Sequence, residues 1–393
     1  MISLPEAQRR ALALATPLAV ETLPLAAAAG RWLAEDIVAL RKQPAHALSA
    51  MDGYAVRHAD LPGPWQVTGE AIAGGPLPAP LAPGGAVRIF TGAPVPDGAD
   101  SVIMQEDVCR NGDTLSLRAE MAFTPGKHVR QAGEDFAAGQ KLLLAGDVLT
   151  PAALALVAMA GHGQVAVRQK VRVALISTGD ELVPPGAAIG ENQIPASNGL
   201  MLQSLLASAG CVVTDMGIVR DEKALVEAAF RAAAARADLV ISTGGASVGD
   251  HDHVKPALDA LGAEIDFWKI AMRPGKPLMA GRLGPAIILG LPGNPVSAFV
   301  TALLFARPLI AALGGSHTPL PRYAPARLAA PLPAVAKRTD HVRAIFSEGT
   351  VTPVGLNDSA ALHALSRANA LIIRPEGAPA AAAGDVVEIL PIA

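Results

Sequence analysis

Cysteine is nearly absent. The 393-residue chain has two, Cys109 and Cys211, far apart and in no Cys-x-x-Cys arrangement. That spacing argues against a disulfide framework and against a cysteine-built zinc site. Aromatic residues are scarce at 3% against 51% hydrophobic residues, so the cores must be built from Ala, Val, Leu and Ile. An excess of one charge is missing too. There are 32 Lys and Arg against 35 Asp and Glu, a formal net charge of −3, which argues against a general nucleic-acid binder. No uninterrupted apolar run reaches membrane-spanning length. The longest candidate, Val296–Leu313, carries Arg307 and Pro308 and reads as a buried helix. At the N-terminus Ser3-x-x-Glu6 reads as a capping box opening a helix rather than as a signal peptide. A soluble cytoplasmic protein with neither membrane nor nucleic acid as partner is expected.

Proline and glycine, by contrast, are plentiful at 33 and 38 residues, and they are unevenly spread. At roughly 100–200 residues per domain, the length holds two to four domains. Residues 1–45 read as helical, Ala-rich and broken at Pro17 and Pro24, and are grouped with 136–170, where a β segment around Lys141–Leu149 precedes a helix near Pro151. Residues 46–135 are dense in Pro and Gly with short β-like runs between, and read as a small β-rich domain. Residues 171–315 alternate strand and helix, as in a doubly wound parallel sheet with helices on both faces. Residues 316–393 return to Pro and β runs, a C-terminal barrel-like β domain. The fold class expected is therefore multidomain α/β plus β. No internal repeat is visible.

Three loops carry the chemistry. Lys269, Arg273 and Lys276 fall within eight residues, interleaved with Pro274, Gly275 and Pro277, so no regular helix runs through them. Cations on such a bent loop can converge on one anion, Arg as a bidentate donor and Lys as a point charge. Upstream, the loop Gly244, Gly245, Ala246, Ser247, Val248, Gly249 lets backbone approach a ligand closely. It lacks the Gly-Lys-Ser/Thr of a phosphate loop and the spacing of a dinucleotide site, and a tight turn after a buried strand would look the same. Downstream, Asn294-Pro295 opens a helix after Pro292, with Ser297 in its first turn, and a helix N-terminus suits an anion. Carboxylates supply the other half: Asp52 before Gly53 in an apolar setting, Asp180 and Glu181 after the first strand, Asp221, and Asp250 and Asp252 after the glycine loop. Asp221 would also serve as an N-cap and Asp180 as a turn residue. Oxygen ligands of this kind suit Mg²⁺ when substrate phosphates complete its shell. The run Asp250-His251-Asp252-His253 lacks the further ligands a zinc or iron centre needs. The pattern favours electrostatic catalysis on a phosphorylated, anionic substrate.

In this order, the runs Ser49–Val56, Arg88–Asp107, Arg130–Gly139, Val171–Leu182, Asp238–Lys255, Phe267–Gly281 and Leu289–Phe299 resemble the molybdopterin molybdenumtransferase family. That family includes the bacterial MoeA-type enzymes and the C-terminal part of the animal protein gephyrin. The resemblance covers nearly the whole chain. It implies four structural regions and an elongated homodimer. Its cleft would lie between the doubly wound domain of one subunit and the β-rich domain, with Asp52 and Thr91, of the other. The implied reaction is the last step of molybdenum cofactor biosynthesis: molybdenum from molybdate enters adenylylated molybdopterin, with Mg²⁺, and AMP leaves. The resemblance implies roles for Asp52, Thr91, Arg130 and Asp135 as cleft residues of the β domain. It implies Glu181, Asp221 and Asp252 as acidic active-site residues, Glu181 and Asp252 toward Mg²⁺. Lys269, Arg273 and Lys276 would clamp phosphate and molybdate, with Gly244, Gly245, Ser247, Gly249, Pro292 and Ser297 binding substrate. Transient docking of other cofactor-pathway proteins is also implied. Two departures stand out. Arg273 replaces the commoner Lys, and Asn357-Asp358-Ser359 matches the family pattern poorly. The competing readings are a non-catalytic cofactor storage or scaffold protein, and the adenylyltransferase that makes the substrate.

Overall fold

The structure is a computed structural model that describes residues 1–120, 123–207, 209–244, 253–355 and 360–392. The chain forms two compact units. One comprises Met1–Glu35, Ala145–Thr150 and Val165–Ala393; the other comprises Asp36–Leu144 and Pro151–Gln164.

The larger unit is organised by a six-stranded sheet. Val171–Thr178 lies between Cys211–Val219 and Leu239–Thr243, and Ala286–Leu291 follows, all parallel. Met279–Leu283 runs antiparallel to both its neighbours, Ala286–Leu291 and the edge strand Glu264–Trp268, so the sheet is mixed rather than wholly parallel. A two-residue turn at Gly284, whose φ is +58°, folds Met279–Leu283 directly back onto Ala286–Leu291, which leaves no room for a crossover helix. Side chains alternate across this sheet. Val173, Leu175, Ile241 and Leu289 meet Leu202, Leu206 and the helical stretch Pro295–Leu313 on one face. Ala174, Ile176, Val240 and Ile288 meet Val226, Phe230, Ala257 and Leu258 on the other. Continuous apolar strands of this kind are what burial on both faces requires.

Pro295–Leu313 is the one helix among the described residues long and apolar enough to cross a membrane by length and composition, but 78% of its window is buried inside the protein. It is a core element. Its middle, Ala302–Ala306, widens into a π-helical turn just before Pro308. Proline has no N–H to give the carbonyl four residues back and its ring crowds that carbonyl, which the wider turn relieves.

Near the C-terminus five strands close on themselves. Thr339–Ser347 pairs with both Thr350–Pro353 and Ala370–Arg374, and Val386–Pro391 and Ala324–Leu328 complete the ring around Leu328, Ala344, Val351, Ile372 and Ile389. Outside the ring the short strand Met272–Arg273 pairs in parallel with Thr339–Ser347, aligning Arg273 with Asp340.

The smaller unit holds an open six-stranded sheet in the order Ser101–Met104, Gly53–Val56, Gly85–Ile89, Trp65–Ala71, Thr114–Leu117, Val108–Asn111. The helix Pro151–Met159 belongs to it. The helical expectation for residues 1–45 holds for Leu4–Ala13, capped by Ser3 through the Glu6 N–H. Beyond that it fails: Val20–Pro24 is a strand, Leu25–Ala27 a single 3₁₀ turn, and Trp32 and Leu33 bridge to Val148 and Val167. Tertiary pairing overrides the helix propensity of alanine there.

Candidate functional site

Two cavities of opposite character adjoin in the larger unit. The first, about 750 Å³, opens beyond the carboxyl ends of Val171–Thr178, Leu239–Thr243 and Ala286–Leu291. This is where open α/β sheets take their ligands, because the loops diverge there. Its walls include Thr178, Gly179, Glu181, Asn198, Asp221 and Gly244, and its ionisable side chains among the described residues, Glu181 and Asp221, are both carboxylates. Burial, reinforced by the charges of Asp180 and Glu181, pushes the Asp221 carboxyl above its usual range, against the lowering effect of a bond from the Asp180 backbone; the Asp221 N–H in turn donates to the Asp180 carboxylate at 3.3 Å. Asn198 donates to the Gly293 carbonyl at 2.7 Å, while its own side-chain oxygen is buried without a partner. Gly244 sits at φ +92° against the Thr178 carbonyl, so a Cβ there would collide with backbone. Glycine is needed for that close approach.

The second cavity, about 280 Å³, is basic. Its walls include Arg273, Lys276, Arg338 and Arg343, with Ser297, Asp340 and His341. Arg273 makes an ion pair with Asp340 at 3.0 Å. Burial raises the Asp340 carboxyl, against the lowering effect of Arg273, Arg338 and Arg374. Arg343 is 6% exposed and donates to the Ala361 carbonyl at 3.1 Å. His341 is 4% exposed, and burial pulls its imidazole down to about 4, more than the Arg273 backbone offsets, so it is neutral at physiological pH. Gly275, at φ +105°, brings the cation loop close enough that a Cβ would strike Thr301. Pro277, Pro292 and Asn294 belong to both walls, so the acidic and basic cavities meet along the two proline loops.

Of the three loop cations expected to converge, Arg273 and Lys276 do so. Lys269 lies in the wall of neither cavity. Its φ is +78°, and its carbonyl accepts the Ile2 N–H at 3.4 Å, which turns that residue into a different backbone path. Pro292 and Ser297 line the basic cavity, and Glu181, Asp221 and Gly244 line the acidic one. Asp221 precedes the helix Lys223–Ala234 and is not its N-cap, a position Glu222 holds. Gly245, Ser247, Gly249 and Asp252, with Asp250, His251 and Ser359, lie outside the described residues.

The smaller unit carries Asp52, Thr91, Arg130 and Asp135. The Asp52 carboxylate accepts from the Thr91 N–H at 2.7 Å and the Thr91 hydroxyl at 2.8 Å, and these bonds, with the Arg88 charge, hold it below the usual range. Asp52 is half-buried and polar in its contacts, so the apolar setting expected for it belongs instead to Gly53–Val56 beside it. Arg130 pairs with Leu48 in the strand that also bonds the loop after Thr91, which keeps these residues on neighbouring segments. Asp135 is exposed and tethered through its N–H to the Gln43 carbonyl.

The sequence reading missed Arg338, Asp340, His341 and Arg343. Its available signal was the density of ionisable residues in Lys337–Arg343, on a strand where alternation puts His341 and Arg343 on one face. Asn198 was missed as a site residue because it reads as the start of a helix.

Three family models match the chain in order: the MoeA N-terminal region (domain I and II) over residues 2–161, a probable molybdopterin binding domain over 174–312, and the MoeA C-terminal region (domain IV) over 325–392. The molybdopterin molybdenumtransferase of Haemophilus influenzae is 38% identical over 400 residues, covering 100% of this chain and 98% of that protein. The Bacillus subtilis molybdopterin molybdenumtransferase is 36% identical, covering 92% and 87%. Among solved structures, a molybdopterin biosynthesis moeA protein from Pyrococcus horikoshii OT3 superposes with a TM-score of 0.83 at 27% identity, covering 100% of both chains. With identities at this level along its whole length, and with a site built at the strand ends of the domain these models share, the chain belongs to the molybdopterin molybdenumtransferase family.

Proposed function

We propose that this protein inserts molybdenum from molybdate into adenylylated molybdopterin and releases AMP. The observation that carries the proposal is the junction of an acidic and a basic cavity at Pro277, Pro292 and Asn294. The substrates need such a pair. Molybdate is a tetrahedral dianion, which suits the guanidinium and ammonium groups of Arg273, Lys276, Arg338 and Arg343. The phosphate joining AMP to the pterin needs its charge drawn off in the neighbouring chamber, which the site's carboxylates cannot do alone.

The donor set there fits Mg²⁺. Glu181 and Asp221 face one cavity, and the Asp221 carboxyl, raised chiefly by burial and further by the Asp180 and Glu181 charges, is one that a divalent cation would favour in its ionised form. These two, with Asp252, would hold the ion, and its chemistry would be to polarise the phosphate and improve AMP as a leaving group. The chain's own part is positioning. Gly244 and Gly293 let backbone approach the ligand, and Arg273 is pre-aimed by its ion pair with Asp340.

The same proposal takes the protein to be a cytoplasmic homodimer. In it, the Asp52–Thr91 surface of one subunit completes the cleft of the other, and other cofactor-pathway proteins dock transiently. An Asp52 carboxylate kept ionised and half-exposed supports a role facing ligand rather than core. The adenylyltransferase and storage readings are not favoured by relatives whose names state molybdenum transfer.

The test is to incubate the purified protein with adenylylated molybdopterin and Mg²⁺ and to quantify AMP with and without molybdate. AMP that appears when molybdate is added supports insertion. Tight substrate binding with no AMP under either condition sinks the enzyme reading.

A further inference from the structure

His341 is an anomaly of the basic cavity. It lies in the cavity wall, 4% exposed, and neither ring nitrogen makes a hydrogen bond of good geometry, although the Arg273 backbone lies close enough to favour its charged form. A buried polar side chain left unpaired costs stability and calls for an explanation. Its place on the strand supplies one. Along Thr339–Ser347, Val342, Ala344 and Phe346 turn into the barrel core. The alternate residues, His341 and Arg343, share the opposite face, where the barrel packs against the α/β sheet. The strand partners of His341 and Arg343 are Ile373 and Leu371, which belong to the sheet's hydrophobic core cluster. The imidazole therefore shares a strand face with Arg343, lies near the Arg273 backbone, and faces a cavity whose wall also carries Lys276, Arg338 and Asp340.

We propose that His341 is the neutral hydrogen-bond donor of the oxyanion site, giving an imidazole N–H to a tetrahedral oxyanion that Arg273, Lys276 and Arg343 hold by charge. A neutral donor has a use there that a fourth cation would not. It adds a directional bond without adding repulsion to a cluster that already includes Arg338. It is also aimed in advance, because the packed ring cannot turn away toward water. The donor nitrogen, unpaired in the protein alone, is then satisfied by ligand, a local cost retained for function. The proposal rests on the basic cavity being the molybdate site.

The test uses the full-length protein and molybdate as the probe. Molybdate affinity is measured by titration calorimetry, and the molybdate KM of AMP release is measured alongside, for the wild type, His341→Phe, His341→Leu and His341→Asn. Phe and Leu remove the donor with different volumes, and Asn restores one. Both apolar variants are expected to bind molybdate roughly tenfold or more weakly, the worth of a hydrogen bond to a charged group. Their KM for adenylylated molybdopterin should stay within twofold, and their melting temperatures should equal or exceed that of the wild type. His341→Asn should recover part of the affinity. Unchanged molybdate affinity in both apolar variants overturns the assignment. Weaker binding accompanied by a lower melting temperature in both, with no recovery by Asn, overturns it in favour of a packing role. A wild type that releases AMP while Arg273→Ala binds molybdate normally would instead sink the placement of molybdate in this cavity, and the assignment with it.

Discussion

The acidic and basic cavities are neighbours built in different ways. The acidic one is a product of a single sheet: its carboxylates follow strand ends, and its glycines let three loops crowd together. The basic one is assembled from two sequence-distant strands, Met272–Arg273 and Thr339–Ser347, joined by a two-residue parallel register. One cavity concentrates like charge on partly solvated carboxylates; the other distributes cations around a neutral buried ring. A pocket that awaits a cation can be made locally. A pocket that must bind an anion without repelling itself needs neutral donors and a counter-charge, here His341 and Asp340, brought in from a second domain.

The two chambers should therefore fail separately. The largest effect is expected from Arg273→Ala, which removes the bidentate donor and leaves Asp340 without its ion-pair partner. Molybdate-dependent AMP release should fall by roughly two orders of magnitude, about 3 kcal/mol, as on loss of one preorganised donor at an anionic centre. The Mg²⁺ concentration for half-maximal rate should not move; a parallel shift in Mg²⁺ would mean that the chambers act as one. Asp52→Ala should lower turnover by a comparable factor, measured as AMP release, while leaving the melting temperature unchanged, because Asp52 is half-exposed and its partner is Thr91. Mixing Asp52→Ala with Arg273→Ala protein should restore activity that neither has alone if the cleft is shared between subunits. No recovery on mixing, with subunit exchange shown directly, would place both residues in a site of one chain. A smaller effect is expected from Glu181→Gln: the Mg²⁺ requirement rises about tenfold, near 1.4 kcal/mol, with the molybdate KM within twofold.

How much of this could be read from the chain follows the same division. The acidic chamber was legible because β-branched apolar runs end at Thr178, Thr243 and Leu291, and ligands of such sheets bind beyond those ends. Asn198 escaped because a polar residue at a helix start has a sufficient local explanation. Arg273 and Lys276 were legible because Pro274, Gly275 and Pro277 rule out a helix and bend the loop. Lys269 has the same charge and spacing, but composition does not reveal a positive φ, and that turn takes it elsewhere. The half contributed by Arg338, His341 and Arg343 was hidden. Alternation shows that His341 and Arg343 share a face, but a barrel strand normally has its outer face in water. Knowing that this one packs against another domain requires the Met272–Thr339 register. Asp52 was placed in an apolar setting because Tyr54, Ala55 and Val56 are apolar and buried, yet the carboxylate precedes them and meets the Thr91 N–H instead.

The smallest expected effect sharpens the contrast through pH. His341 is neutral when folded, with burial pulling it down to about 4, whereas an unfolded histidine titrates near 6.5. Between those values the unfolded chain holds a proton that the folded one does not, so stability falls as pH drops from about 6.5 toward 4, by up to about 1.4 kcal/mol per pH unit. Asp221 works in the opposite sense. Its folded carboxyl is raised, chiefly by burial, so in the folded state it holds its proton to higher pH than in the unfolded chain. Its contribution to stability is therefore lost as pH rises through the range between its two values. The two chambers thus tilt the acid limb of the stability curve in opposite directions. Denaturant melts from pH 4 to 7 should show His341→Phe flattening the slope and Asp221→Asn steepening it. Mg²⁺ should flatten the Asp221 part alone, because a bound cation lowers that carboxyl and leaves the imidazole untouched. Identical slopes for wild type and His341→Phe would mean that the ring already shares a proton in the folded state, and that the basic cavity is not the neutral-donor site its geometry describes.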